Sequence, residues 1–560
     1  MKKIFRIVVV LVLTAGLFSC RTVKETYSEK TAYSPERTLS YNIENINNLS
    51  ETNLTQAIVQ SKLLMADNPD SETVLALYEG LVGKLQTRFN GYYEKKDYLN
   101  ALSDYSSLTV LGVPPENITL DKINSGLYTL WTQKNYTSLV SLFERKDNVK
   151  AEEGKAPPSE KVSELIEGTV TIWVDRGIRL QQGRGVPERV IGSGFFIEES
   201  GYIITNYHVI SSEVDPEYEG FSRMYIKLSE NDNSRIPAKV IGWDEVLDLA
   251  LIKAEIKAPY VFSLGSSDDL EVGDIIYAIG SPGGLEKTLT SGIVSSINRR
   301  FLSMGSIMQI DAAINQGNSG GPIIDQKGRV QAVVFAGIEN FEGLNFAIPV
   351  EYLKLILPYL FEGGEVSHPW IGAYGQNYQI VGDTGEISTG AEILYTLPGS
   401  PSDLGGITEP VKIVSCNGRK IYSLQDLQNN IISFMPGTII NLTDSEGKDY
   451  FISLDKRPDL PGKEILEKDV NERAFIPLFG MKLDYTGGKL WPRYTINSVV
   501  PGGIADESGL SVLDPITVRK VDVDEDSGYV FIQFDIKKRK GGYMEVVLAL
   551  AAPLDSPDYL

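Results

Sequence analysis

Histidine and cysteine are nearly missing: 560 residues contain two of each. So few imidazoles and thiols cannot build a metal centre of the usual nitrogen and sulfur type, and neither a metal nor another cofactor is expected. Two cysteines cannot supply a disulfide framework either, so the fold must stand on packing. Positive charge is also short. Fifty-three Lys and Arg against 74 Asp and Glu leave a net charge of −21. A surface for a phosphate backbone needs the opposite balance, so nucleic acid is not expected as a partner. No run is long and apolar enough for a transmembrane helix, the N-terminal one included. What is present is ordinary: 42% apolar and 23% charged residues, enough for several cores and, at this length, three to four domains.

The first cysteine closes a segment that reads as an export signal. Lys2, Lys3 and Arg6 precede an apolar core from Ile7 to Leu17, which ends in Leu17-Phe18-Ser19-Cys20. That ending resembles a bacterial lipobox, with Phe18 bulkier than usual. The resemblance implies a lipoprotein signal peptide over 1–19 and a diacylglycerol on Cys20. Removing 1–19 makes the chain still more acidic, so its hold on the membrane should come from acyl chains and not from basic residues. Arg21 stands where an Asp would retain a lipoprotein in the inner membrane, which favours an outer-membrane anchor facing the periplasm. With Cys20 acylated, Cys416 is the remaining thiol. It ends an apolar run, Val411 to Cys416, before the turn at Asn417-Gly418, and reads as a buried core residue.

Along the chain, residues 20–40 are a polar tether. From 41 to 150 the pattern is helical, with Leu54, Ala57, Ile58, Leu63 and Leu64 near 3.6-residue spacing. Two stretches are alike: Tyr93 to Tyr98 before Leu99 and Leu102, and Trp131 to Tyr136 before Leu139 and Leu142. They resemble tetratricopeptide (TPR) repeats, 38 residues apart, with Ala101 at the small-residue position; a plain helical bundle explains the pattern equally well. Ala151 to Ser159 is a Pro-containing, charged linker. From 163 to 362 short β-branched runs alternate with Gly-rich turns, as in a barrel or sandwich, before a closing helix over 350–361. Segments 368–457 and 475–552 are smaller strand-and-turn units.

The second scarce residue type decides the chemistry. His208 lies in Thr205-Asn206-Tyr207-His208-Val209-Ile210, Asp248 opens the apolar run Asp248 to Ile252, and Ser319 sits in Gly317-Asn318-Ser319-Gly320-Gly321-Pro322. Amide hydrolysis by serine needs a hydroxyl, a base that takes and returns its proton, and donors for the developing oxyanion. The glycine-rich turn suits the first and the last, through backbone N–H groups of Gly317, Asn318 and Ser319. A carboxylate at the mouth of an apolar strand is costly without a partner such as an imidazole N–H. On spacing alone Asp244 and Asp311 compete with Asp248 for that role. His368 stands far along the chain from the other groups.

These motifs, with Gly192-Ser193-Gly194, Gly273-Asp274, Ala278 to Pro282, Gly292-Ile293-Val294-Ser295, Asp311 to Gln316 and Asn345 to Pro349, make residues 163–362 similar to the protease domain of the HtrA/DegP family. The resemblance implies two six-stranded antiparallel barrels with His208 as base, Asp248 as orienter and Ser319 as nucleophile. Tyr207 departs from the family's usual Asn or Ala. The position six before the nucleophile forms the floor of the primary specificity pocket in such folds. Here it is Ala313, which implies a preference for small or medium aliphatic residues over Lys or Arg.

Residues 368–457 resemble a PDZ domain. Trp370-Ile371-Gly372-Ala373 stands at the family's carboxylate-binding loop, and Pro398 to Gly406 follows the PGSPAxxAG pattern. Thr408-Glu409-Pro410 replaces the usual Gly-Asp. Residues 475–552, with Pro501 to Leu510, look like a degenerate second copy, or a packing module without a ligand groove. The expected whole is an N-terminal all-α, TPR-like region, an all-β double-barrel protease and two PDZ-like α+β domains. It would act as a lipid-anchored endopeptidase on unfolded or damaged envelope proteins, binding peptide C-termini through the PDZ modules. The family commonly forms homotrimers. The rival reading is a proteolytically silent scaffold or holdase.

Overall fold

The computed structural model describes residues 33–143, 164–181, 183–218, 220, 222–228, 235–281, 287–300, 303–337, 344–381, 387–488, 490–539 and 543–560. The expected signal peptide, Cys20, most of the tether, the 151–159 linker and Pro282 lie outside the described residues. The chain divides into two compact units, one made of Met1–Leu120 with His368–Leu560, the other of Asp121–Ser367. Helices expected together over 41–150 are therefore shared between the units.

In the first unit, helices Leu39–Ser50, Leu54–Asp67, Glu72–Glu94 and Tyr98–Val110 pack each on the next. Asn53, Ser71 and Asp97 cap the last three, each side chain accepting the backbone N–H three residues on. Ile46, Ile58, Leu81, Leu85, Phe89 and Leu108 are buried between them. The two similar stretches share one turn geometry. Lys96 and Asn135 adopt φ of +62° and +56°, and the N–H groups of Asp97 and Tyr136 reach back to the carbonyls of Tyr92 and Trp131, each at 2.9 Å. Hydrogen bonding thus aligns Tyr92, not Tyr93, with Trp131, and the copies lie 39 residues apart. The second copy belongs to the other unit.

That unit carries strands β1 (Thr169–Gln181), β2 (Arg184–Phe196), β3 (Tyr202–Thr205), β4 (Arg223–Lys227), β5 (Ile236–Asp244) and β6 (Leu249–Ala254). Each pairs antiparallel with its neighbours in the circle β1-β2-β3-β6-β5-β4, because β4 also pairs with β5. Strands β7 (Ile275–Gly280), β8 (Thr288–Arg299), β9 (Ile307–Ile310), β10 (Pro322–Ile324), β11 (Val330–Gly337) and β12 (Asn345–Pro349) close a second barrel in the order β10-β11-β12-β9-β8-β7. Closure gives each strand a neighbour on both sides around the ring and buries the alternate apolar side chains inside. Ile172, Phe196, Ile203 and Ile252 fill the first barrel; Ile276, Val294, Ile310 and Val334 fill the second. The helix Val350–Glu362 follows, and β13 (Gly364–Glu365) pairs in parallel with β5. Two six-stranded antiparallel barrels are what the resemblance implied.

Back in the first unit, β14 (Pro369–Trp370), β15 (Ala373–Val381), β16 (Ile387–Thr396), β17 (Val411–Cys416), β18 (Arg419–Lys420), β19 (Ile439–Asp444), β20 (Asp449–Ser453) and β21 (Asp455–Lys456) form the next module. Its main sheet runs β15-β16-β17-β19-β20, and the helix Leu424–Ile431 packs on it, with Leu424, Leu427 and Ile431 buried. The N-terminal helices cover its far edge. Ser107 Oγ accepts the Ile439 N–H at 2.9 Å, Ser453 Oγ donates to Thr55 Oγ1 at 2.8 Å, and the Lys62 ammonium lies 4.2 Å over the Phe451 ring. Covering an edge with helices protects it from stray strand pairing.

Strands β22 (Met481–Gly487), β23 (Arg493–Val499), β24 (Pro515–Asp524), β25 (Tyr529–Arg539) and β26 (Tyr543–Pro553) form a five-stranded meander. A long hairpin joins β24 to β25 where the previous module has its helix. The helices Pro461–Lys468 and Asn471–Phe479 precede this sheet, and Phe475, Leu478 and Phe479 enter its core.

Cys416 is 2% exposed at the end of β17, and burial pushes its thiol up to about 12. The reactive thiolate is therefore scarce at neutral pH. Iodoacetamide at pH 8 is expected to leave Cys416 unmodified in the native protein and to alkylate it fully in guanidinium. Peptide mass spectrometry reads both states, and rapid native alkylation would contradict the buried assignment.

Candidate active site

A one-turn helix, Tyr207–Ile210, follows β3 and carries His208. Val209 and Ile210 are buried on the barrel side, and Tyr207 packs its half-buried ring against the same core, which absorbs that departure from the family pattern. Gly192 makes the approach possible, since a Cβ there would stand 2.7 Å from the Val209 side chain. The His208 side chain remains 46% exposed, so one edge of its ring is open to a substrate.

Asp248 lies in the turn before β6 and is held in place by its own backbone. Its φ is +52°, an uncommon conformation that Asp and Asn tolerate better than most residues. Asn206 Nδ2 donates to its carbonyl at 2.8 Å. One carboxylate oxygen accepts the His208 backbone N–H at 2.8 Å, and the other lies 2.7 Å from His208 Nδ1. The side chain is 9% exposed, so these bonds are little diluted by water. The competing carboxylates are committed elsewhere: Asp244 accepts the Leu247 N–H at 2.9 Å, and Asp311 accepts the Ile293 N–H at 2.6 Å.

Ser319 lies in the turn before β10. Its Oγ donates to the Phe335 carbonyl at 3.2 Å, and the His208 ring meets the Phe335 ring edge-on, with centroids 6.4 Å apart. Ser319 is thus hydrogen-bonded to the Phe335 backbone, with no bond to His208 among the described residues. Gly317 has φ of +103°, and neither its N–H nor that of Ser319 is taken by another group among the described residues. Asn318 corrects the expected oxyanion set: its N–H is spent on the Asn315 carbonyl at 3.0 Å, closing the turn, and its side chain is buried against Gly280. Ala313 is exposed, and its carbonyl accepts Thr290 Oγ1 at 3.1 Å.

Sequence reasoning gave no role to Ser193, which ties the site together. Its Oγ donates to the Gly317 carbonyl at 2.7 Å and accepts the Ser281 N–H at 3.0 Å, while its own N–H donates to the Ser319 carbonyl at 2.8 Å. One fully buried serine of the first barrel therefore fixes both ends of the Gly317–Ser319 turn and a strand end of the second barrel. The available signal was a lone polar residue between two glycines, Gly192 and Gly194, just before an apolar run.

The expected carboxylate-binding loop is built as a separate site in the other unit. Ile371 and Ala373 are buried, and Gly372 has φ of +71°. A Cβ at Gly372 would stand 2.2 Å from Ser400 Cβ, so only glycine lets the loop pass the turn at 397–402. That turn holds the loop in place: the Leu397 N–H donates to the Gly372 carbonyl, and the Ser402 N–H to the Ile371 carbonyl, both at 2.8 Å.

A family model described as a trypsin-like peptidase domain matches residues 192–333. A TP0546 family PDZ domain matches 462–554, and a domain of unknown function, DUF8517, matches 37–125. Over 278 residues the chain is 34% identical to the "Probable periplasmic serine endoprotease DegP-like" of Chlamydia trachomatis, covering 47% of this chain and 53% of that one. A protein of the same name from Rhizobium meliloti is 31% identical over 357 residues, 60% of this chain and 68% of its own length. The chain belongs to the HtrA/DegP family.

The match to the family is uneven. The chain spans about half the length of several curated relatives it matches. The solved "HtrA-type protease AlgW with tripeptide" aligns with 53% of this chain and 96% of its own, at 24% identity and a TM-score of 0.45. The TP0546 family PDZ match falls on the C-terminal meander, the segment that resembles a degenerate copy, and begins at the helix Pro461–Lys468.

Proposed function

We propose that this chain is a periplasmic serine endopeptidase that cuts unfolded or damaged envelope proteins through Ser319, His208 and Asp248. The reading rests on the doubly bonded His208–Asp248 pair, 2.7 Å at the ring nitrogen and 2.8 Å at the backbone. Asp248 fixes Nδ1–H toward itself, so Nε2 carries the lone pair that removes a proton. Ser319 leaves the Phe335 carbonyl, gives its proton to Nε2 and attacks the scissile carbonyl. The N–H groups of Gly317 and Ser319 receive the oxyanion. His208 then protonates the departing amine, and water repeats the sequence on the acyl-enzyme while Asp248 stays ionised. Acylation at Cys20 would tether the protein to the outer membrane, the module at 368–457 would bind peptide C-termini, and trimers are the expected assembly.

A fluorophosphonate probe tests the reading. Labelling is expected at Ser319 alone and is lost in Ser319→Ala. If the probe fails with every unfolded protein or peptide added as activator, the chain is a silent scaffold. Specificity is a second expected outcome. Ala313 offers no carboxylate for a cationic side chain, so substrates with Val, Ala or Leu before the scissile bond should exceed Arg substrates in kcat/KM by at least about tenfold. A panel of fluorogenic peptides reads this directly, and fastest turnover of the Arg peptide would refute it.

A further inference from the structure

Residues 555–560 leave β26, turn, and bring Tyr559 and Leu560 against the edge of β15. Tyr559 pairs antiparallel with Tyr374, and the Gly375 N–H donates to the Asp558 carbonyl at 3.2 Å. The Leu560 N–H donates to the Ala373 carbonyl at 2.9 Å. Its backbone oxygen receives three N–H groups, from Ile371, Gly372 and Ala373, at 3.2, 3.0 and 3.3 Å. These are the residues that the sequence assigned to the carboxylate loop. The Leu560 side chain is 2% exposed, packed in the core that contains Ile371, Leu424, Leu427 and Ile431.

The rest of the segment is fastened as firmly. Gln428, on the helix Leu424–Ile431, donates through Nε2 to the Tyr559 carbonyl at 3.2 Å. The Tyr559 ring is buried, 6.1 Å from the Tyr374 ring, and its hydroxyl donates to the Pro477 carbonyl at 3.5 Å. Asp555 pairs with the buried Arg457 guanidinium. Strand addition at a sheet edge, an apolar side chain in a pocket and converging N–H groups on a backbone oxygen together are how such a groove holds a peptide.

We propose that residues 555–560 are the resident ligand of the groove between β15 and the helix Leu424–Ile431. Peptides from other proteins, ending in a large aliphatic residue behind an aromatic one, enter only by displacing it. This rests on the reading of the 368–457 module as a peptide C-terminus site. A short tether gives the segment a local concentration on the order of 1 mM. Half-saturation by an outside peptide of the same intrinsic affinity as the segment is then pushed to about that concentration.

The experiment uses the whole chain and a fluorescein-labelled Ser-Pro-Asp-Tyr-Leu peptide with a free carboxyl group, titrated by anisotropy. Leu560→Asp puts a charge where the pocket is apolar and expels the segment. Asp555→Ala loosens it from outside the groove and guards against a folding defect in the first variant. Near-UV circular dichroism verifies that both are folded. Leu560→Asp is expected to bind the peptide at least about tenfold more tightly than the intact chain, with Asp555→Ala between them. Amide hydrogen exchange at Ile371 to Gly375 should be slow in the intact chain and faster in Leu560→Asp. Equal tight binding by both, with unchanged exchange, overturns the resident-ligand proposal and leaves the peptide-site reading standing. Faster exchange in Leu560→Asp without any peptide binding supports residence and overturns the peptide-site reading.

Discussion

His208→Ala is expected to remove peptide hydrolysis, lowering kcat by about 10⁴-fold or more, while the melting temperature stays within a few degrees of the parent. The side chain is 46% exposed and, among the described residues, makes one side-chain hydrogen bond, to Asp248, so its loss opens no core cavity. Asp248 keeps its other oxygen on the backbone N–H of residue 208, which the substitution does not touch. Ser319→Ala should cost as much, and the double variant no more than either single one, because base and nucleophile act as a unit. The measurement is kcat/KM on a Val-containing fluorogenic peptide beside a thermal melt. No other histidine is available as a substitute. His368 is buried and belongs to the other unit. Residual turnover above about a hundredth of the parent would mean that another group is the base.

Asp248→Asn is expected to lower kcat by about 10⁴-fold through tautomer choice alone. An amide nitrogen facing Nδ1 makes that ring nitrogen the acceptor, puts the proton on Nε2 and leaves Ser319 without a base. The fold should survive. Asn accepts the left-handed backbone at φ +52°, and its amide oxygen can still take the His208 N–H. Asp244→Asn and Asp311→Asn are the controls. Both carboxylates serve backbone N–H groups away from His208 and should retain turnover within about tenfold of the parent. A variant Asp248→Asn as active as these controls would remove Asp248 from the mechanism.

Much of this was legible in the sequence because each signal was local. Short β-branched runs between Gly-rich turns implied a barrel or sandwich, and Val330 to Gly337 and Leu249 to Ala254 are strands of the barrels. The 3.6-residue pattern of Leu54, Ala57 and Ile58 lies on a real helix with a capped start. Illegible features were those in which backbone hydrogen bonds decide. Asn318 sits beside Ser319 in sequence, yet its N–H turns inward to Asn315. Ser193 lies 126 positions before Ser319, and its N–H nonetheless donates to the Ser319 carbonyl. No motif records a hydroxyl that serves two barrels.

Sequence by itself determined which residue types were available: two histidines, a glycine-rich turn around Ser319, a loop at 370–373 that only Gly372 allows. Side-chain chemistry and backbone permission are properties of single residues, so they can be read one position at a time. Tertiary structure decided which carboxylate faces the imidazole, which N–H groups remain open, and that Leu560 lies on the Gly372 loop. Those are pairings between distant segments, fixed only when strand register and barrel closure bring the groups within hydrogen-bond distance.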